Sequence, residues 1–261
     1  MNRLTTICLA SALSAAAALL TGCGGGDESL TDAVALITAP YAVLDLDTRQ
    51  FAMRLAVDDL AANPAYRDSQ VVFRRVTVGG HDSFIAVFEL TQAQWQRIAG
   101  TAPWTAVDSA VVPASAVAGD RPAYNLDYDA TVLAVGAFHL AIGRLDLPTD
   151  AEWTAACGVS SGWSIGANPD QAQFAAAAVV RETLNGVDGP RQVGQRAGNG
   201  LGFYDMHGNV WEWTRPGAAI RGGSWNDPAW SSRAEIAVGA SQGIESQVQH
   251  ALVGVRLVLV Q

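Results

Sequence analysis

The sequence predicts a mixed α+β fold with unusually little regular secondary structure, and three observations support this prediction. Alternating and β-branched segments lie within residues 41–91. Two short helices are marked by capping signals. A long segment rich in glycine and asparagine, residues 158–202, contains few long apolar runs. Because irregular loops in a compact domain must satisfy their backbone groups, this half of the chain needs internal polar partners.

Three strands are predicted in the first part of the chain. The segment YAVLDLD, which begins at Tyr41, alternates between apolar and polar residues. The segment QVVFRRVTVGG, residues 70–80, is β-branched and ends at a glycine pair, and SFIAVFELT, residues 83–91, follows it.

Helices are predicted after these strands. Thr91 is a candidate N-cap for a helix that ends at Gly100, and residues 128–143 are typical of a second helix. In the second helix, the residues available for a buried face are Leu133, Phe138 and Leu140.

A capping box marks the third helix. Thr149 is followed three residues later by Glu152, and Trp153 comes directly after it. In such a box the Thr hydroxyl and the Glu carboxylate each accept a backbone N–H of the first turn. The sequence therefore predicts that a helix begins at this point.

Residues 1–22 are typical of a lipoprotein signal peptide. Arg3 provides the positive end, residues 4–20 are apolar and small, and Leu20-Thr21-Gly22-Cys23 has the lipobox arrangement. We expect Cys23 to be lipidated, residues 23–40 to form the lipidated cysteine and a flexible tether, and residues 41–261 to form one domain. The alternative, a transmembrane anchor, is disfavoured because no basic flank follows the apolar run.

The expected location is the bacterial cell envelope, with a membrane contact through the lipid. Gly24 after the cysteine, rather than Asp, favours the outer over the inner membrane. The chain has 16 basic residues, all arginine, against 25 acidic ones, a net charge of -9. Because this balance repels phosphate backbones, no nucleic-acid partner is expected. With Cys8 removed and Cys23 lipidated, Cys157 is the one thiol expected in the domain, which excludes an internal disulfide.

Residues 202–214, GFYDMHGNVWEWT, place polar residues among aromatic ones without a helical or strand period. Asn209, the Val210 carbonyl and Glu212 are spaced so that a tight turn brings them to one hard cation, such as calcium. The alternative is a plain turn whose polar groups cap one another. The spacing alone leaves both interpretations open.

Four motifs carry a family resemblance. In this order, LPTDAEWTAA, GLGFYDMHGNVWEWT, IRGGSW and VGVRLV resemble the formylglycine-generating enzyme family, also called the sulfatase-modifying-factor domain. The resemblance spans residues 41–258 and implies a compact variant of the C-type lectin fold. It also implies one structural Ca²⁺ at Asn209, Val210 and Glu212. A second calcium site of the family is not expected, because alanine occupies the comparable ligand position.

The resemblance also indicates where the catalytic copper ligands of the family would lie in this sequence. Formylglycine-generating enzymes bind copper through two cysteines shortly after the RGGS element, and in this sequence these places fall close to Asp227 and Ser232. Neither residue supplies the soft thiolate that Cu(I) selects. We therefore expect no copper and no formylglycine formation, and we interpret Cys157 as a core residue. The four histidines have no ligand spacing that indicates an iron site.

The segment between Trp225 and Val253 is the predicted ligand-contact segment. Its aromatic, amide and charged residues are typical of adaptable binding surfaces. It also resembles the variable segment of retroelement-diversified lipoproteins. The predicted ligand-binding residues are Trp225, Asn226, Asp227, Trp230, Ser231, Arg233, Gln247 and Gln249.

The predicted function is a non-catalytic lipoprotein that binds a protein or glycan at the cell envelope. One alternative is an accessory enzyme that modifies or matures an exported protein by other chemistry, and another is a purely structural envelope protein. For the contact segment itself, the alternative is that Trp225 and Trp230 belong to the core and the polar residues are merely solvated.

Overall fold

A computed structural model of the chain describes residues 38–158, 170–186, 188–229 and 245–261. The predicted signal peptide and Cys23 lie outside these ranges. The larger sheet has six strands in the order β2-β1-β3-β4-β9-β5, and neighbouring strands are antiparallel. Its strands are β1 (Tyr41–Asp45), β2 (Gln50–Arg54), β3 (Gln70–Val78), β4 (His81–Ala86), β5 (Arg144–Asp146) and β9 (Val258–Val260).

A smaller sheet lies in the C-terminal half and has the order β7-β6-β8. The strand β6 pairs antiparallel with β7 and parallel with β8. The end of the GNVWEW motif, residues 208–213, therefore lies between two strands that come later in the chain. The strands are β6 (Trp211–Thr214), β7 (Ala219–Arg221) and β8 (Val253–Gly254).

Helices are short, and most of the remaining described chain is irregular. The predicted mixed fold with little regular structure is therefore confirmed. No helix within the described ranges is long and apolar enough to cross a membrane. The α-helices are α1 (Ala65–Asp68), α2 (Gln92–Ala99), α3 (Tyr128–Ala137), α4 (Asp150–Cys157) and α5 (Asp170–Ala177), with 3₁₀ turns at Pro103–Ala106, Ala114–Ala116 and Arg181–Thr183.

The two predicted N-caps are confirmed. The Thr149 hydroxyl accepts the Glu152 N–H at 3.2 Å, and the Glu152 carboxylate accepts the Thr149 N–H at 2.7 Å. Thr91 forms the same box with Gln94, and α2 ends at Gly100 in the left-handed conformation. Because these signals are local, they depend only on residues within one turn.

Several details of the predicted elements are wrong. The predicted strand over residues 83–91 ends at Ala86. The strand β2 lies where no strand was predicted, since it completes a hairpin with β1. Helix α3 ends at Ala137 rather than at residue 143, and Leu133 is 74% exposed instead of buried. Phe138 is buried and Leu140 is partly buried, as expected. Because α3 is apolar on all sides, its sequence pattern does not indicate which face packs.

The main core fills the space between the two sheets. Leu44 and Phe73 of the larger sheet and Trp213 of the smaller sheet belong to one buried cluster, together with Trp104 and Leu257. This core positions the GNVWEW motif against β4 and the C-terminal segment.

We predict that Gly208→Ala destabilises the fold by several kcal/mol. Gly208 has a φ of +87°, and an added Cβ would overlap the carbonyl oxygen of Val179, which accepts the Asn209 N–H at 2.8 Å. Gly217 is the matched control, because its φ of +89° is similar but no atom lies within 4 Å of an added Cβ. Chemical unfolding should show a loss of about 1 kcal/mol for Gly217→Ala and at least about 2 kcal/mol more for Gly208→Ala. Equal losses of unfolding free energy in the two variants would show that the close approach of the Val179 carbonyl oxygen to residue 208 has no energetic effect.

Candidate functional site

A buried ion pair lies at the centre of the domain. The Arg256 guanidinium, which is fully buried, donates to Glu212, with Nη2–Oε1 at 2.6 Å and Nε–Oε2 at 2.9 Å. Its other N–H groups donate to the carbonyl oxygens of Ala86 at 3.0 Å, Val87 at 2.9 Å and Tyr204 at 2.9 Å. The pair therefore connects the end of β4, the loop before the GNVWEW motif, and β6.

Glu212 has a second partner in helix α4. The Trp153 indole N–H donates to Oε2 of Glu212 at 2.7 Å. Burial by itself lowers the pKa of Arg256, but the charge and hydrogen bonds of Glu212 outweigh it, so the pKa is raised above its ordinary value. Arg256 is therefore charged in the folded protein.

Glu89 holds the start of the GNVWEW turn. Its carboxylate accepts the Asn209 side-chain amide at 2.5 Å and the Val210 N–H at 3.0 Å. Burial raises the pKa of Glu89 well above its ordinary range, and the nearby Asp205 and Glu212 carboxylates act in the same direction. Burial and the two neighbouring carboxylates thus oppose the charged form of Glu89, whereas Arg256 and the Val210 N–H favour it.

Asp205 is the third buried carboxyl group of this cluster. Its Oδ2 accepts the Gly194 N–H at 2.6 Å, while Oδ1 is buried and accepts no hydrogen bond from any described residue. Burial raises the pKa of Asp205 to about 6, although the Gly194 N–H, Arg256 and Arg67 lower it. Near neutral pH the folded protein thus maintains an ionised carboxylate whose environment opposes its charge.

The side-chain oxygens of the predicted calcium ligands Asn209 and Glu212 accept hydrogen bonds from other protein groups. Asn209 Oδ1 accepts the Arg191 N–H at 2.8 Å, and both oxygens of Glu212 are used by Arg256 and Trp153. In the described parts of the chain, no three His, Cys, Asp or Glu side chains are arranged to hold a metal ion. Calcium at Asn209, Val210 and Glu212 stays a prediction, and the ion would have to displace the Arg256 contact.

A cleft of about 400 Å³ lies at the surface beside α2 and α3. Trp95, Thr101 and Asp127 line it, together with Asn125 and Gln249. The Asn125 amide donates to Oε1 of Gln249 at 3.4 Å, which joins the predicted ligand-contact segment to the body of the domain. Asn125 has a φ of +62°, so a strained backbone presents its side chain at this position.

The predicted contact residues fall in different environments. Trp225 is 4% exposed and belongs to the main core, so it does not form an open contact surface. Asn226, Gln247 and Gln249 are exposed, and Asp227 is half-buried. Three of the predicted contacts lie outside the described residues, namely Trp230, Ser231 and Arg233.

The sequence and the fold of this chain are similar to those of known proteins. Residues 50–260 match the family described as "Sulfatase-modifying factor enzyme 1-like domain". The chain belongs to this family. The predicted family resemblance is thereby confirmed, and the match covers most of the described domain.

Two solved structures share this sulfatase-modifying-factor fold. Treponema denticola variable protein 1 has a TM-score of 0.59 and 18% identity, with 74% of this chain and 96% of that chain covered. PvdO from Pseudomonas aeruginosa has a TM-score of 0.53 and 17% identity, with 85% of this chain and 92% of that chain covered. No curated protein matches the chain. These neighbours confirm the predicted fold class.

The resemblance places the first copper cysteine of formylglycine-generating members close to Asp227. In this protein the Asp227 carboxylate accepts hydrogen bonds that stabilise the surrounding loop. Asp227 Oδ2 accepts the Trp211 indole N–H at 2.6 Å and the Ser224 hydroxyl at 2.5 Å. The second position, close to Ser232, lies outside the described residues. Cys157 is fully buried, with its sulfur 3.9 Å from Nε2 of His207, as expected for a core thiol.

Sequence reasoning missed the buried partners of the sulfatase-modifying-factor motif. Glu89 was interpreted as part of a strand, although a charged residue between Phe88 and Leu90 in an apolar run was a signal of a buried polar role. Asn125 had no such signal, because its contact with Gln249 joins residues 124 positions apart.

We predict that Asp205→Asn stabilises the protein near neutral pH. The folded pKa of about 6 lies above the ordinary 3.8, so the folded state holds the proton more tightly and wild-type stability falls as pH rises between these values. The asparagine retains an oxygen that can accept the Gly194 N–H. Urea unfolding should show the variant more stable by about 2 kcal/mol at about pH 7.5, with the difference closing near about pH 4.

Asp58→Asn, at an exposed residue, is the control and should show no comparable pH-dependent gain. Glu89 remains in both Asp205 proteins, and the Asp205 charge also raises its pKa. Loss of that charge therefore relieves Glu89 as well, which changes the stability difference in the same direction. A difference for Asp205→Asn that is independent of pH, or that reverses at high pH, would contradict the assignment.

Proposed function

We propose that this chain is a membrane-anchored lipoprotein whose sulfatase-modifying-factor domain binds a protein or glycan at the cell envelope without catalysing formylglycine formation. The contact surface consists of exposed residues between Trp225 and Val253, among them Gln249 in the cleft. The observation that carries the proposal is the hydrogen bond from Asn125 to Gln249 inside that cleft.

The lack of thiols in the C-terminal segment supports a binding function. The chain contains three cysteines, Cys8, Cys23 and Cys157, and none follows Ser224. The buried Cys157 has no exposed surface on which a substrate thiol would be met. Asp227 uses its carboxylate to hold the Trp211 ring and the Ser224 loop, which stabilises the segment instead of supplying a soft metal ligand.

The cleft has features that suit a ligand with polar groups. Its volume of about 400 Å³ falls in the range of ligand pockets. Gln249 accepts from Asn125 through Oε1, and no described residue accepts from its exposed amide N–H groups, which are available to a ligand. The Ser246 carbonyl accepts the Asp129 N–H at 3.1 Å, so this part of the segment is fixed to α3.

Lipid anchoring at Cys23 has its own test. In cells labelled with radioactive palmitate, we expect the wild-type chain to carry label and to enter the detergent phase. Cys23→Ala should carry no label, whereas Cys157→Ala should remain labelled, because the buried thiol is not the lipid acceptor. Unlabelled wild-type protein would remove the anchoring proposal but leave ligand binding open.

We predict that Gln249→Ala weakens ligand binding at least about tenfold, the effect of losing one or two hydrogen bonds at a contact site. The measurement is the dissociation constant of the full-length protein in detergent for hits from an array of envelope glycans and exported proteins. Because Gln249 is exposed, the melting temperature should not change. Gln96→Ala, an exposed residue of α2 outside the cleft, should bind like the wild type.

Mass spectrometry of each captured ligand separates binding from the enzymatic alternative. A binding protein leaves the ligand mass unchanged over many hours. A covalent mass change that requires the folded domain would establish a maturation enzyme and overturn the proposal. Equal binding by Gln249→Ala and the wild type would place the contact surface outside the cleft.

A further inference from the structure

Three arginine side chains donate hydrogen bonds to backbone carbonyl groups in two nearby stretches of the chain, residues 183–184 and residue 190. Thr183 and Leu184 are adjacent, so two of the guanidinium groups bind neighbouring carbonyl oxygens. All three side chains belong to half-buried residues. The contacts are Arg121 Nη1 to Pro190 O at 3.0 Å, Arg191 Nη2 to Leu184 O at 3.4 Å, and Arg196 Nη2 to Thr183 O at 2.7 Å.

Arg121 and Arg196 have no acidic partner in the part of the chain that the structure describes. Across the described ranges, neither guanidinium has a carboxylate within 4.0 Å, and Arg121 Nε is buried without a hydrogen-bond acceptor. A buried donor without a partner costs free energy. The arginines that do contact a carboxylate are Arg75, Arg97, Arg144, Arg215, Arg221 and Arg256.

The positive charges of Arg121 and Arg196 both act on Arg191. Burial lowers the pKa of Arg191 first, and the charges of Arg121 and Arg196 lower it further. Asp188, which is exposed, acts in the opposite direction. Such crowding of like charges is unfavourable unless an anion compensates it.

The arginine cluster is held in place by the rest of the fold. The Arg191 N–H donates to Asn209 Oδ1 at 2.8 Å, and the Arg181 N–H donates to the Asp227 carbonyl at 3.0 Å. Both ends of the 181–191 loop are therefore tied to the buried GNVWEW turn or to the segment after it. This fixation lowers the conformational cost of binding an ion.

We propose that Arg121, Arg191 and Arg196 form a binding site for a tetrahedral oxyanion, a phosphate or sulfate group. Guanidinium groups present planar forks of N–H donors that match such oxygens. The whole chain carries a net charge of -9, so its long-range field repels anions. The three guanidinium groups therefore attract an anion only at short range, within about one Debye length. The site does not depend on ligand binding by the C-terminal segment.

Isothermal titration of the full-length protein in detergent with inorganic phosphate and with sulfate, at about 0.15 M ionic strength, tests the site. We expect saturable binding of one ion. Arg121→Gln and Arg196→Gln should each weaken it at least about tenfold, because each removes a charge-assisted contact. Arg144→Gln is the control, since that side chain is 61% exposed and pairs with Asp146, and it should leave binding unchanged.

A crystal soaked in selenate gives a readout that does not depend on variants. The selenium signal should lie within about 4 Å of all three guanidinium groups, at hydrogen-bond range of the oxygens. A sugar phosphate or sulfated sugar that binds more tightly than the inorganic ion would identify a ligand-borne group, and equal binding would identify a free ion. No saturable binding, or equal loss in Arg144→Gln, would overturn the site.

Discussion

The buried ion pair between Arg256 and Glu212 is the interaction on which the rest of the structure depends. Arg256 contacts the end of β4 through Ala86, the loop before the motif through Tyr204, and β6 through Glu212. Burying a guanidinium costs free energy unless its charge and its N–H groups are compensated, and Arg256 has acceptors at Nε, Nη1 and Nη2. The pair therefore fixes the two sheets relative to each other, which shapes the surface where the C-terminal segment lies.

Local signals in the sequence were sufficient for part of the fold. The capping boxes at Thr91 and Thr149 could be predicted because each is complete within four residues. The hairpin strand β2 and the exposed face of α3 could not, since neither has a pattern that separates buried from exposed positions. Asn209 and Glu212 stand out in the sequence as polar residues among aromatic ones, but their partners Glu89 and Arg256 lie 120 and 44 residues away. Only tertiary structure assigns such contacts.

The same fold is compatible with catalytic and non-catalytic functions, because the scaffold and the reacting groups come from different residues. The buried cluster of Glu89, Asp205 and Glu212 stabilises the irregular motif. The residues near the expected copper positions can change without disturbing that cluster. Asp227 shows how this occurs, because its carboxylate holds the Trp211 indole and the Ser224 loop. The proposed binding function uses exposed side chains on this scaffold, such as Gln249.

The most direct test of this account is a double-mutant cycle on the central pair, measured by urea unfolding of the wild type, Glu212→Gln, Arg256→Met and the double variant. Each single substitution leaves one buried group without its partner, so we expect a loss of about 3 to 5 kcal/mol for each. The double variant should lose less than the sum, with a coupling energy of at least about 2 kcal/mol. Additive losses, or single losses below about 1 kcal/mol as for an exposed pair, would contradict the central role of the ion pair.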